Sequence, residues 1–107
     1  MGPLFALLLL AVGSAPEQVI PITARKFEFS PAVIELKVGV PVVLELRSTD
    51  RRHGFALPDL HLDEQIEPGE VKRVRIVPDK AGTFEFHCSV FCGTGHEEMS
   101  GQVVVRP

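Results

Sequence analysis

The 107-residue chain has no tryptophan, only two cysteines, and a single methionine besides Met1. So few cysteines exclude a disulfide-dense scaffold. No apolar run approaches the roughly 20 residues of an ordinary membrane span. Low-complexity tracts and internal repeats are absent, so the composition is that of one globular domain. There is no basic excess: the formal net charge is −3, which gives no reason to expect nucleic-acid binding. The basic runs Arg51-Arg52 and Lys72-Arg73-x-Arg75 read as solvated surface. No convincing amphipathic helix is visible, which leaves strands as the building material.

What is present fits that. Hydrophobic residues make up 45% of the chain, enough for one core, and nine prolines and nine glycines supply turns. Residues 19–22 are apolar and interrupted by Pro21, as in an edge strand. Residues 26–29 alternate, with Phe27 and Phe29 on one face. Residues 33–38 place Ile34, Leu36 and Val38 inward, and residues 42–46 place Val42, Leu44 and Leu46 inward. His53 opens a short strand to Pro58. The acidic stretch 59–66 reads as a loop or an irregular strand. After Pro68-Gly69, residues 71–77 form a strand with Val74 and Ile76 inward. Residues 83–88 put Phe84, Phe86 and Cys88 on the core face, and residues 101–106 close the fold. Seven or eight short strands with frequent turns predict an all-β antiparallel sandwich or barrel.

The first thirteen residues carry no charged side chain. They are long enough for a signal-peptide core, and Ala11-Val12-Gly13 resembles a cleavage site before Ser14. The n-region has no Lys or Arg, so the remnant of a membrane anchor is the alternative. The expected organisation is a leader over 1–13, a linker over 14–18 and one domain over 19–107. Export to the periplasm or another extracytoplasmic space follows, with any membrane attachment at the N-terminus.

The densest chemistry lies in Cys88-Ser89-Val90-Phe91-Cys92-Gly93-Thr94-Gly95-His96-Glu97-Glu98-Met99. Two thiols, an imidazole and a thioether stand at spacings of four, four and three. Thiolate donates strongly to copper, imidazole binds both of its oxidation states, and a thioether is a weak axial ligand that stabilises Cu(I) and tunes the potential. A disulfide between Cys88 and Cys92 would close a very short loop with little entropic gain and would leave the His and Met without a role. His53 offers a second imidazole from a strand that a sandwich can bring to the same end. His87 is expected on the opposite face from Cys88, and His61 in solvent. One Cys, two His and a Met would make a mononuclear copper centre, whereas two thiolates can bridge two coppers. A Cys2His2 zinc site is a further alternative, in which Met99 has no role.

The pattern C-x-x-x-C-x-x-x-H-x-x-M with an upstream His resembles the binuclear CuA motif. That motif belongs to the cupredoxin domain of cytochrome c oxidase subunit II and of nitrous oxide reductase. The resemblance runs from about Phe27 onward, through His53-Gly54-Phe55-x-x-Pro58, Pro68-Gly69 and Ala81-Gly82-Thr83-Phe84. Phe91 before Cys92 and Glu98 before Met99 are nearer the reductase form, and Cys92-Gly93 is nearer the oxidase form. The resemblance implies a Greek-key, cupredoxin-like sandwich with metal ligands between the last two strands. It implies two copper ions held by His53, Cys88, Cys92, His96 and Met99 and by the main-chain carbonyl of Val90. The oxidase pattern usually has Glu at position 90, so a role for that carboxylate is not carried over. The aromatic residue through which electrons reach oxidase subunit II is absent, since there is no tryptophan. Neither paired membrane helices nor a large catalytic propeller is present, so a free-standing or singly anchored domain is expected.

The function implied is one-electron transfer through an exposed His96 edge, with no substrate transformed by this chain alone. A c-type cytochrome or another cupredoxin would be the donor, and a terminal oxidase or reductase the acceptor. Copper(I) delivery or storage by the same loop is the rival; it needs one copper per chain and no contribution from His53. A catalytic copper enzyme is disfavoured, because the candidate ligands are all used in closing the site. Glu97 and Glu98 read as a solvated rim.

Overall fold

The computed structural model describes residues 17–107. The expected leader over 1–13 and the first part of the linker, to residue 16, lie outside them. The described chain forms β1 (Gln18–Arg25), β2 (Glu28–Ser30), β3 (Val33–Lys37), β4 (Val42–Ser48), β5 (His53–Leu57), β6 (Leu62–Ile66), β7 (Val71–Ile76), β8 (Gly82–His87) and β9 (Ser100–Arg106). Two single 3-10 turns, Pro58–Leu60 and His96–Glu98, are the only helical elements among the described residues.

The strands divide into a four-stranded sheet, β2-β1-β4-β7, and a five-stranded sheet, β3-β9-β8-β5-β6. The chain crosses repeatedly between them, first at Ser30-Pro31 and again at Gly39, where φ is +78°. Two pairs are parallel, β1 with β4 and β3 with β9, and the remaining pairs are antiparallel. The all-β sandwich expected from the sequence is therefore present, with mixed rather than purely antiparallel sheets. Alternation along a strand carries no information on the direction of its neighbour.

Alternation did locate the core. Ile34 and Leu36 of β3, Val42, Leu44 and Leu46 of β4, Ile76 of β7, and Val103 and Val105 of β9 are all buried between the sheets. Val38, Val74 and Phe84 pack against the core only in part. Phe29, Phe55 and Phe86 form its centre, with ring centroids 4.8 to 5.8 Å apart. Each buried aromatic of this kind contributes about 1.5–3 kcal/mol through area removed from water.

Three elements differ from their expected form. β1 is interior in sheet order and pairs with β4 from Gln18 to Ala24, yet β2 covers only Thr23 to Arg25, so Pro21 has a neighbouring strand on one side alone. The acidic stretch after Pro58 becomes β6, which pairs in full register with β5, from His53↔Ile66 to Leu57↔Leu62. Phe27 precedes β2 and is half-buried, whereas Phe29 is in the core. The ends of β1, β4 and β8 and the starts of β2, β5 and β9 meet at one end of the sandwich, and the chemistry collects there.

Candidate metal centre

β5 and β8 share a single residue pair, Ala56↔His87, and then part. Beyond that pair Gly54 N–H donates to Cys88 Sγ at 3.4 Å. A side chain at Gly54 would run into Ser89, since a Cβ there would stand 2.9 Å from the backbone nitrogens of Ser89 and Val90. Glycine thus lets β5 press directly on the start of the ligand loop. The other end of the loop is tied back by Cys88 N–H donating to the Met99 carbonyl at 3.0 Å. Between these ties the chain folds over itself, with His96 N–H on the Gly93 carbonyl at 3.1 Å and Met99 N–H on the His96 carbonyl at 3.2 Å.

This arrangement brings together all the residues singled out in the sequence. Cys88 Sγ and Cys92 Sγ are 3.6 Å apart, and both thiols are free. His53 Nδ1 lies 3.9 Å from Cys88 Sγ, and His96 Nδ1 lies 3.7 Å from Cys92 Sγ. Met99 Sδ is 3.8 Å from Cys92 Sγ, and the Val90 carbonyl is 3.1 Å from Cys88 Sγ. His53, Cys88, Cys92 and Met99 are buried, while His96 and Val90 are half-buried. Among the described residues, the His53, Cys88 and Cys92 donor atoms all lie within 4.8 Å of one another. His61 is exposed, as expected; His87 is half-buried rather than on the surface, and neither ring joins the cluster.

The electrostatics are those of a closed site. Burial pushes the Cys92 thiol up to about 11, and the adjacent Cys88 sulfur adds to the shift. Asp50 goes the other way. Burial works against its carboxylate, but the Lys26 N–H, the His53 ring and the Arg51 N–H outweigh it and hold the group at about 2.

Three residues here were not singled out as functional in the sequence. Asp50 Oδ1 lies 2.7 Å from His53 Nε2. Its only sequence signal was an acidic residue three positions before a histidine. Phe27 packs against Gly93 and Gly95 of the loop, which no local pattern announces. Phe91 is 73% exposed, and its ring centroid is 5.6 Å from that of His96. An aromatic residue between two candidate ligands was the available cue.

A cupredoxin-like domain matches residues 2–105. The chain belongs to this family. Cytochrome c oxidase subunit 2 of Thermus thermophilus is 32% identical over 96 residues, 89% of this chain and 71% of that protein. Nitrous-oxide reductase of Cupriavidus necator is 34% identical over 91 residues, 81% of this chain but only 14% of the reductase. The cupredoxin-like fold is shared with the periplasmic domain of subunit II of the Bradyrhizobium japonicum cytochrome oxidase. That match has a TM-score of 0.77 at 19% identity and covers 86% of each chain.

The donor set of this cupredoxin-like chain fits copper. Soft sulfur from two thiols and a thioether, two imidazoles and one carbonyl oxygen is the mixture copper prefers. Both Nδ1 atoms face sulfur, and His53 makes its hydrogen bond to Asp50 through the other ring nitrogen.

Proposed function

We propose that this chain is a one-electron carrier built around a binuclear CuA-type copper centre. His53, Cys88, Cys92, His96 and Met99 would hold it by their side chains, and Val90 by its carbonyl. The observation that carries this reading is the pairing of one imidazole with each sulfur, at 3.9 Å for His53 with Cys88 and 3.7 Å for His96 with Cys92. A mononuclear site needs one thiolate, and a zinc site leaves Met99 idle; two matched sulfur–imidazole pairs suit two metal positions. When bound, the copper pair supplies a single one-electron couple.

The protein's own part is to bind and to hold still. Sulfur and imidazole donors arrive from β5 and from a loop fastened at both ends, so ligand movement on redox change is resisted by the core beneath. Burial of His53, Cys88, Cys92 and Met99 keeps water out. His96 is half-buried beside the exposed Phe91 ring, which makes this face the natural place for electrons to enter and leave. Similarity to an oxidase subunit and to a reductase supports a c-type cytochrome or cupredoxin as donor and a terminal oxidase or reductase as acceptor. It also supports an extracytoplasmic location. Among the described residues no helix is long and apolar enough to cross a membrane.

The test is copper content together with electron paramagnetic resonance on the loaded protein. Two coppers per chain sharing one unpaired electron is the expected result. One copper with a blue, single-centre signature would demote one cysteine. A silent, readily removed single Cu(I) would replace electron transfer by copper delivery.

A further inference from the structure

The connection between β1 and β2 touches both halves of the site while contributing no ligand. Lys26 N–H donates to Asp50 Oδ2 at 2.7 Å. The other oxygen of Asp50 accepts the Arg51 N–H at 2.6 Å and lies 2.7 Å from His53 Nε2. An ionised carboxylate only accepts, so His53 donates to it from Nε2, and the neutral ring in that tautomer presents the lone pair of Nδ1 to the sulfurs. With a backbone donor on each oxygen, Asp50 cannot swing away from the ring.

The next residue reaches the loop that carries the other imidazole. A Cβ at Gly93 would stand 2.9 Å from Cε1 and Cζ of Phe27, and one at Gly95 would stand 3.0 Å from its Cε2. The ring therefore lies directly against the backbone that leads into His96. Gly95 immediately precedes the three-residue 3-10 turn His96–Glu98, a geometry with poor hydrogen bonds that depends on tertiary support.

We propose that Lys26-Phe27 is a strut that positions both imidazoles. The Lys26 amide acts through Asp50 on His53, and the Phe27 ring acts through Gly93 and Gly95 on His96. Asp50 and Phe27 are positioning residues, not ligands. What the imidazoles are positioned for rests on the copper reading above, but the strut itself is a property of the metal-free chain.

The experiment therefore begins without metal. Imidazole 15N NMR of the metal-free protein should show His53 as the Nε2–H tautomer. Asp50→Ala should mix its tautomers; Asp50→Asn keeps one carbonyl acceptor but sets its NH2 against the Lys26 N–H, so it should restore them only in part. Phe27→Ala should leave the His53 tautomer intact and speed amide exchange at His96 and Met99 by at least about tenfold. With copper, competition against a chelator should show Asp50→Ala weakening affinity by about 10–100-fold, the usual effect of removing a partner of a ligating histidine. A wild-type His53 found as Nδ1–H overturns the proposal even if Asp50→Ala fails to fold. So does a tautomer indifferent to Asp50→Ala, or loop exchange indifferent to Phe27→Ala. A wild type that takes up no copper defeats the copper reading alone, because the tautomer and exchange measurements are made on metal-free protein.

Discussion

Met99 and the two cysteines separate at the residue level what binds from what tunes. Cys88→Ser or Cys92→Ser removes one of two sulfurs 3.6 Å apart. Each should lower copper from two per chain to one or none and abolish the shared-electron signal. Met99→Leu keeps volume and burial, so its cost in stability should stay below about 1.5 kcal/mol. Copper should remain and the midpoint potential should move. If the loss weakens one oxidation state tenfold more than the other, the shift is about 59 mV, read by redox titration. The thiol proton gives a further expectation. Cys92, held up at about 11, is protonated at neutral pH, and metal must displace that proton. Copper affinity should therefore rise with pH, by about tenfold per unit for each proton released. A pH-independent affinity between pH 6 and 8, by competition titration, would contradict thiol coordination. These ligands were legible in the sequence because their chemistry is dense and local. Asp50 was not, because a hydrogen bond to the far nitrogen of a histidine leaves no spacing rule behind.

Among the elements, β5 has the most to do. It is buried along its whole length, carries His53 at its start, and presses Gly54 against Ser89 and Val90. Gly54→Ala places a methyl where the loop backbone already is. The expected cost is about 1–3 kcal/mol, as for overpacking elsewhere, with a displaced Val90 carbonyl and weakened copper binding. Thermal denaturation and chelator competition would check both, and unchanged copper affinity would mean the loop can retreat without disturbing the ligands. The hydrophobic pattern revealed strands such as β3 and β4 because buried apolar and polar residues alternate through Ile34-Glu35-Leu36 and Leu44-Glu45-Leu46. It left β6 ambiguous, since Leu62 is only half-buried and Ile66 alone reaches the core. What defines β6 is its pairing with β5, a long-range fact. The parallel pairing of β1 with β4 was invisible for the same reason.

In the molecule as a whole, the site is set into one end of a core that extends well beyond it. Cys88, Cys92 and Met99 pack into that core, but the Phe29–Phe55–Phe86 cluster and the ladders of both sheets, the His53↔Ile66 pair aside, are made by residues that are not ligands. Stripping copper with a chelator should thus leave a folded sandwich, unlike small zinc domains that unfold without metal. Circular dichroism should stay that of a β protein, and the β4 and β9 amides should remain protected from exchange. The amides of residues 89–99 should lose protection, because their ties are few and the donor atoms they order would no longer be bridged. Stability should still rise on loading, since only the folded chain brings His53 to the loop donors and so binds the metal more tightly than the unfolded chain. At free copper a thousandfold above Kd the gain is at most about 4 kcal/mol, which for a domain this size would raise Tm by about 15 °C or more. Global loss of protection on stripping would show that the ligand loop, not the aromatic core, holds the two sheets together.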